Sequence, residues 1–375
     1  MFISQLYRHC HAGLRSRVVL LALLLSACED EYEVVEGDLV LFEYSPEFTP
    51  CAGNAAALDA LALQTVEFFG RPRRQGLRYT WRSGTPEGFW VPKGVCSPGG
   101  CATGGHAFSA APFHVHELAH VALGTGSKAF FVEGIATAVT FYDDLFETSR
   151  SLSGRYLDLV PGQELPDPRE TMGSLVSRGV DYEVAGAFVT FLIVRHGPAK
   201  FSDFYDRVGV LDSMAQIRAA FRRVYEVELD DEADAFMRGD PCPDEPFLFL
   251  PPECESPDIP WSDDRWSFGA VLACEEDETV VGGYGTKNGE FDLARRAVTF
   301  TVPDAGLYDV RYAGDLGTEA RYGPCFGCPW DAYDSRLGDD FVGGYNWLEP
   351  GVYYLVLYGD PSSPQSAGLS IEPVD

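Results

Sequence analysis

Residues 112–136, PFHVHELAHVALGTGSKAFFVEGIA, decide how the rest of this sequence is interpreted. Pro112 near the beginning and Gly124 after the end bound an apolar segment that is typical of a short helix. His116 and His120 are four residues apart, so a helix projects both imidazoles from one face, about 40° apart around its axis. Two such imidazoles can share a tetrahedral Zn²⁺ ion at about 2.0–2.1 Å, and we therefore expect Zn²⁺ as the cofactor.

Glu117 completes the pattern H-E-x-x-H, which is the zincin arrangement. Its side chain is rotated by about 100° from the histidine face, close enough to act on a water at the metal without binding the metal itself. Coincidence is the alternative, since chance would produce the pattern in roughly one chain in a hundred of this length. The apolar helical context favours a real site, in which Glu117 is the catalytic general base.

A third protein ligand is needed, because a catalytic zinc ion uses three and keeps one position open. In metzincins the motif itself continues to the third ligand, but here Leu123 and Gly126 stand where that pattern requires Gly and His. The metzincin class is therefore excluded. The candidate ligand is Glu133, thirteen residues after His120 in the segment AFFVEGIATAVTFY.

Together, the two segments resemble the gluzincin metallopeptidases, in particular the "HElaH … WlxEGlAeyf" pattern of peptidase-MA-like domains. The resemblance implies that His116, His120 and Glu133 bind the metal. It also implies that Gly134 and Ala136 allow the helices of these two segments to pack closely on each other. We expect Glu133 at the start of the second helix, where the alternative role for a carboxylate is to complement the helix dipole.

Residues 182–208, YEVAGAFVTFLIVRHGPAKFSDFYDRV, resemble the helix pair that follows in peptidase-MA-like proteins. Tyr182 is a candidate hydrogen-bond donor to a reaction oxyanion, and aromatic packing at a helix start is the alternative. The short predicted strand His106–Ser109 precedes the metal-binding helix, where zincins pair an extended substrate with a sheet edge. His106 is accordingly a candidate substrate contact.

Residues 1–27 have the order of a secretory signal, with three arginines, an apolar run and then small residues. The tetrapeptide LSAC at 25–28 resembles the bacterial lipoprotein signal, in which the cysteine is acylated and becomes the first mature residue. The resemblance implies an exported protein that a lipid on Cys28 anchors to a membrane of the bacterial cell envelope. An ordinary cleaved signal peptide is the alternative.

The chain of 375 residues has 28 Lys and Arg against 57 Asp and Glu, a formal net charge of -29. So much negative charge repels phosphates, which excludes nucleic acid as a partner. The apolar run of the signal is too short for a permanent membrane helix, which needs about 20 residues. We expect a monomer whose partner is a peptide or protein substrate.

Eight of the ten cysteines lie outside the signal and the lipidation site. An even number in an exported protein predicts a disulfide framework. The Cys325-x2-Cys328 spacing also fits half a zinc ribbon or a redox pair, but no second C-x-x-C accompanies it. The candidate disulfides are Cys96–Cys101, Cys325–Cys328 and Cys254–Cys274.

A stretch at 240–260 contains seven Pro in 21 residues, which excludes helix and favours an extended linker. Residues 28–239 upstream show strands at Leu77–Trp81 and His106–Ser109 and then mainly helical patterns. Residues 261–375 alternate between apolar and polar positions, which predicts a β-sandwich. The expected fold class is α+β, with a zincin-like N-terminal domain (a small mixed sheet plus helices that carry H-E-x-x-H) and an all-β domain.

Two phrases of the β-region, TFTVPDAGLYDV and LEPGVYYLVLYGD, resemble the bacterial pre-peptidase C-terminal type of sandwich, which is an accessory domain. The function expected from all these features is zinc-dependent hydrolysis of peptide bonds at the cell envelope. The alternative is an inactive zincin-fold surface lipoprotein that binds protein or carbohydrate through aromatic residues of the β-region. Retention of Glu117 beside both histidines favours the enzyme, because a binding site for metal alone does not need that carboxylate.

Overall fold

The computed structural model describes residues 32–82, 100–140, 166–238, 252–262, 264–275, 277–284, 292–326, 335–338 and 343–374. Within them the chain is a mixed α+β structure with three sheets and eight α-helices. The predicted signal at 1–27 and the lipidation site Cys28 lie outside the described residues. In the described part of the chain, no helix is long and apolar enough to cross a membrane.

The elements are numbered in chain order. The helices are α1 (Asn54–Phe68), α2 (Val115–Leu123), α3 (Ala129–Val139), α4 (Arg169–Met172), α5 (Tyr182–His196), α6 (Pro198–Arg207), α7 (Met214–Tyr225) and α8 (Leu229–Met237). The strands are β1 (Glu33–Glu36), β2 (Val40–Tyr44), β3 (Thr49–Pro50), β4 (Leu77–Trp81), β5 (Gly100–Thr103), β6 (His106–Ser109), β7 (Trp266–Leu272), β8 (Val281–Tyr284), β9 (Leu293–Val302), β10 (Gly306–Gly314), β11 (Glu319–Pro324), β12 (Ser335–Leu337), β13 (Gly343–Leu348), β14 (Gly351–Gly359) and β15 (Gln365–Pro373).

The first sheet has the strand order β1-β2-β4-β6-β5, and the helices bury its apolar face. The two central pairings, β2 with β4 and β4 with β6, are parallel, whereas β1 and β5 are antiparallel to their neighbours. The predicted strands Leu77–Trp81 and His106–Ser109 are confirmed as β4 and β6. The sheet supports the helix α2, which carries the histidine pair.

The other two sheets form an antiparallel sandwich with its own apolar core. One has the order β13-β10-β15-β7, and the other has the order β12-β11-β14-β9-β8-β3. The β-character predicted downstream of residue 261 is confirmed by these strands. Alternating residues of β9 and β14 such as Phe300, Leu355 and Leu357 are buried between the sheets, as the period of two requires.

The second sandwich sheet includes a strand from the far N-terminal side of the chain. Residues Thr49–Pro50 pair with β8, and the next residue, Cys51, forms a disulfide with Cys274 across a separation of 223 residues. The Asn54 side chain then donates to Gly282 O at 2.7 Å and accepts from Gly282 N at 2.8 Å. The sandwich is therefore joined to the helical region by a strand, a disulfide and buried hydrogen bonds as well as by the Pro-rich stretch.

Two predicted disulfides are wrong. Cys254 pairs with Cys325 and Cys274 pairs with Cys51, so neither Cys254–Cys274 nor Cys325–Cys328 forms. The prediction relied on nearness in sequence, whereas the tertiary structure brings cysteines 71 and 223 residues apart within bonding distance. Cys101 is also disulfide-bonded. Its predicted partner Cys96 lies outside the described residues, as does Cys328, and the Cys96–Cys101 pairing stays a prediction. The observed disulfides favour an oxidising compartment.

Removal of the Cys51–Cys274 disulfide by a double Ser substitution is expected to lower the free energy of unfolding by about 2–5 kcal/mol. The entropic cost of closing a loop grows with its length, so the loss should exceed that for Cys254–Cys325 by about 1 kcal/mol. Reversible urea unfolding of the two double variants measures both values. An equal or smaller loss at Cys51–Cys274 would show that loop length does not control the stabilisation.

Candidate metal centre

The chain enters α2 through a segment that the first sheet holds in place. Tyr79 donates from its hydroxyl to Ala111 O at 2.8 Å, and Trp81 donates from Nε1 to Ala110 O at 3.0 Å. His114, the residue before the first turn, shares a 3.1 Å hydrogen bond between its Nδ1 and the Ser109 hydroxyl. At the other end Gly124 has φ 84, a left-handed conformation that favours glycine, and terminates the helix.

Helix α3 begins at Ala129, so Glu133 lies in its second turn rather than at its start. The predicted start of this helix is therefore wrong by about one turn. A role for Glu133 in complementing the helix dipole loses its basis, because that effect is confined to the terminal turn. The apolar residues Phe130 and Phe131 are both buried and extend the helix upstream.

Close packing of α3 against α5 depends on Gly134. A Cβ atom at this position would lie 2.7 Å from Ala185 O and 2.7 Å from a Val189 methyl group. The prediction placed Gly134 between α3 and α2, but the close approach that the structure shows at Gly134 is between α3 and α5. Glu133, the preceding residue, is turned by about 100° around the α3 axis, and its carboxylate lies against the two histidines of α2.

The donor atoms of His116, His120 and Glu133 converge. His116 Nε2 and His120 Nε2 lie 3.1 Å apart, and each lies 3.2 Å from Glu133 Oε2. Ligands 2.0–2.1 Å from one tetrahedral ion are separated by about 3.3 Å, which follows from the geometry of zinc sites. Two neutral imidazoles and one carboxylate are also a common donor set for zinc. The three side chains therefore fit a metal ion.

Glu133 is electrostatically suited to hold a cation. Its burial would raise the pKa of the carboxyl group, but hydrogen bonds from His116 and His120, with their charge, outweigh burial. The pKa of Glu133 consequently lies well below its usual value. The carboxylate is thus ionised at neutral pH, as a metal ligand must be.

Glu117 lies beside this trio with a different electrostatic character. Its side chain is only 5% exposed, and its Oε2 atom has no hydrogen-bond partner in the described part of the chain. Burial raises the pKa of Glu117 to about 7, while the charge of His116 lowers it and that of Glu133 raises it. A carboxyl group with a pKa near neutrality can both accept and release a proton, which is the property of a general acid–base residue.

Gly100 at the start of β5 makes room for the Glu117 side chain. A Cβ atom on Gly100 would lie 2.7 Å from Glu117 Cγ and 2.8 Å from Glu117 Oε1. Sequence reasoning missed Gly100 and missed β5 altogether. The stretch around it, PGGCATGG, is rich in glycine and lacks the alternation that indicates a strand.

Tyr182 lies at the edge of the same cluster, at the first residue of α5. Its ring stacks on the His116 ring with 5.9 Å between centroids. Burial and the charge of Glu133 raise the pKa of Tyr182. The phenol therefore keeps its proton at neutral pH and remains a donor.

His106 lies on the other face of the first sheet. Its Nε2 is 2.6 Å from the Thr80 hydroxyl and 3.7 Å from Glu43 Oε2. The next residue, Ala107, packs with the helices, and successive residues of a strand point to opposite faces, so His106 lies on the face away from the helices. Burial lowers the pKa of His106 to about 4. The structure thus separates His106 from the trio, and its predicted contact with a substrate does not fit this position.

The predicted substrate-pairing strand also needs correction. β6 is paired on both sides, with β4 and with β5, so it has no free edge. Among the strands that the structure describes, β5 is the outermost on this side of the sheet.

Comparisons with known proteins give distant likenesses. No family model and no curated protein matches the chain. Among solved structures, it is similar to a mutant M1 zinc metallopeptidase from Deinococcus radiodurans bound to a Tyr-Ser-Ala substrate, with 13% identity and a TM-score of 0.34. That match covers 57% of this chain and 52% of the metallopeptidase.

Two further structures match different parts of the chain. Aminopeptidase A of Legionella pneumophila, in complex with aspartic acid, shows 10% identity and a TM-score of 0.34 over 89% of this chain and 36% of that one. The pre-peptidase C-terminal domain of a Bacillus anthracis collagenase shows 14% identity and a TM-score of 0.21 over 31% of this chain and 94% of that domain. The chain thus spans about half the length of the Deinococcus metallopeptidase and about a third of aminopeptidase A.

Proposed function

We propose that this protein is a zinc-dependent peptidase of the gluzincin type, with a zincin-like domain at 28–239 and a β-sandwich at 261–375. The observation that supports it is the convergence of His116 Nε2, His120 Nε2 and Glu133 Oε2 beside the buried side chain of Glu117, whose Oε2 atom has no hydrogen-bond partner among the described residues. Three ligands with an acid–base group next to them match the requirements of metal-assisted amide hydrolysis.

Each side chain of the site has a defined task in this reaction. His116, His120 and Glu133 would hold a Zn²⁺ ion, which would supply Lewis acidity toward a peptide carbonyl and a water molecule. Glu117 accepts a proton from the attacking water and delivers it to the departing amine. Tyr182 keeps its proton and donates a hydrogen bond to the oxygen that becomes negative.

The substrate is an extended peptide that adds beside β5, the outermost strand on that side of the sheet among the described residues. Main-chain hydrogen bonds to β5 would place the peptide alongside Gly100, which contacts the Glu117 side chain. Since main-chain pairing does not depend on side chains, it contributes affinity with little selectivity. The proposal therefore predicts cleavage of several unrelated peptides.

The direct experiment measures zinc content and peptide-library cleavage of the purified protein. We expect about one equivalent of zinc per chain and cleavage that a chelator abolishes and added zinc restores. Tight zinc binding without any cleavage would favour the binding protein instead.

Substitution of Gly100 by Ala is expected to lower peptide hydrolysis by about 10–100-fold with zinc retained, because small displacements of a catalytic group have effects of this size. The added methyl group forces the Glu117 carboxylate to move. Gly126→Ala is the matched control, since a Cβ atom there meets nothing within 4 Å. Steady-state kinetics and zinc analysis of both variants test this, and an unchanged rate in Gly100→Ala would contradict the assigned contact.

We further propose that the protein is exported and anchored to the cell envelope by a lipid on Cys28. The tetrapeptide LSAC behind a basic and apolar leader supports this. Mass spectrometry of the mature N-terminus should show an acylated Cys28. An unmodified mature N-terminus at any other residue would exclude the lipid anchor.

The binding-protein alternative has one specific observation in its favour. Tyr345 and Trp347, two residues apart on β13, are 68% and 63% exposed. Adjacent exposed aromatic rings on one strand face are suited to stacking against sugars or apolar side chains. If the protein is a binding protein, substitution of both residues by Ala would abolish binding. If it is a peptidase, the same substitution would leave the hydrolysis of short peptides unchanged.

A further inference from the structure

We propose that Arg295, a residue of the β-sandwich, is a positioning residue for the metal-binding helix α2. The inference rests on the proposed function, because it takes α2 to be the helix that carries two metal ligands and the general base. It assigns the sandwich a role in shaping the site, beyond that of an attached accessory domain.

Arg295 reaches from β9 across to the residue that leads into α2. Its guanidinium carbon lies 4.7 Å from the ring centroid of Phe113. Arg295 Nη1 also donates a hydrogen bond to Glu253 Oε1 at 2.9 Å, and the side chains of this ion pair are only 9% and 10% exposed. A cation over an aromatic face is worth more when it is desolvated, so this contact is of the stronger kind.

Phe113 is the point at which this contact can act on the helix. It is buried in the core of the helical region and precedes His114, which caps α2 without any side-chain cap hydrogen bond. A helix start without a cap is held by packing and by tertiary contacts. Arg295, held in place by Glu253, contacts Phe113 at this helix start from the sandwich side.

A small movement of α2 would matter because the ligands lie on two helices. His116 and His120 belong to α2, whereas Glu133 belongs to α3, which is fixed against α5 through Gly134. Metal and catalytic sites need their groups held to within about 0.5 Å. A shift of α2 alone would therefore separate both histidines from Glu133.

The next residue of the chain provides a matched control. Arg296 also stacks on a phenylalanine, with its guanidinium carbon 5.4 Å from the Phe268 ring centroid, and it also bonds an acid, Asp277, at 2.9 Å. Phe268 and Asp277 both lie in the sandwich part of the chain, as Arg296 does. Loss of Arg296 removes the same kinds of interaction without touching Phe113.

The experiment compares Arg295→Met, Arg295→Lys and Arg296→Met in the full chain. Hydrogen exchange of the α2 amides, measured without metal, should accelerate about tenfold in Arg295→Met and remain unchanged in Arg296→Met. Zinc affinity, from competition with a chelator, should weaken by about tenfold in Arg295→Met, the usual size for groups that orient metal ligands. Arg295→Lys keeps the charge and should restore most of both properties, while both Met variants should have lowered melting temperatures.

Hydrogen exchange in α2 tests the role of Arg295, and zinc uptake by the wild type tests the proposed function, so the two can fail independently. If wild type takes up no zinc, the proposed function fails, and exchange in α2 still decides the role of Arg295. If Arg295→Met and Arg296→Met show the same exchange in α2, the positioning role is wrong and Arg295 only stabilises the fold. Should Arg295→Met not fold, Glu253→Gln weakens the same contact more gently and must give faster α2 exchange for the inference to stand.

Discussion

Glu117→Gln is expected to leave zinc bound and to lower peptide hydrolysis by about 10²–10⁴-fold, the range for loss of an acid–base group. The amide has nearly the shape of the carboxyl group, so it fits the same space against Gly100. It cannot accept the proton of the attacking water at neutral pH. The carboxyl is not one of the three converging ligands, so the metal affinity should stay close to that of wild type.

The measurement pairs zinc analysis with the rate constants for cleavage of a peptide that the wild type hydrolyses. The fall should appear in kcat, because the group acts on the reacting atoms and not on substrate binding. Full activity in Glu117→Gln would mean that another residue is the base. Loss of zinc in this variant would mean that Glu117 is a ligand.

Glu133→Ala is expected to weaken zinc binding by more than about 100-fold, because it removes one of three protein ligands. Only the two imidazoles of α2 would remain, and hydrolysis should fall together with zinc occupancy. Chelator competition gives the affinity, and the rate at saturating zinc shows whether any activity returns. Without Glu133, no carboxylate ligand would neutralise the cation at the two histidines.

Glu232→Ala is a suitable control for Glu133→Ala. Glu232 is similarly buried and lies 3.3 Å from a histidine, His196, in a part of the helical region that holds none of the three ligands. This control should lower the melting temperature and leave zinc affinity unchanged. If Glu133→Ala keeps zinc and activity, the gluzincin assignment is wrong, and Asp143, Asp144 and Glu147 become the candidates for the third ligand.

The sequence by itself determined the features of this protein that depend on near neighbours in the chain. With the helical period of 3.6 residues, the spacing of His116 and His120 predicts that both lie on one face of a helix. The end of that helix at Gly124 follows from the positive φ that glycine tolerates. Strands of the sandwich could be predicted from their alternation, because one face of each is buried. These features are local, so a window of about ten residues contains the information that is needed to predict them.

Tertiary structure alone decided the features that join distant residues. It paired Cys51 with Cys274 and Cys254 with Cys325 against the nearest-neighbour expectation, and it placed glycine-rich β5 at the sheet edge. It also brought Arg295 onto Phe113, although 182 residues separate them in the chain. Such contacts depend on how sheets and helices pack over the whole fold, and a local sequence pattern carries no record of which distant segment will supply the partner.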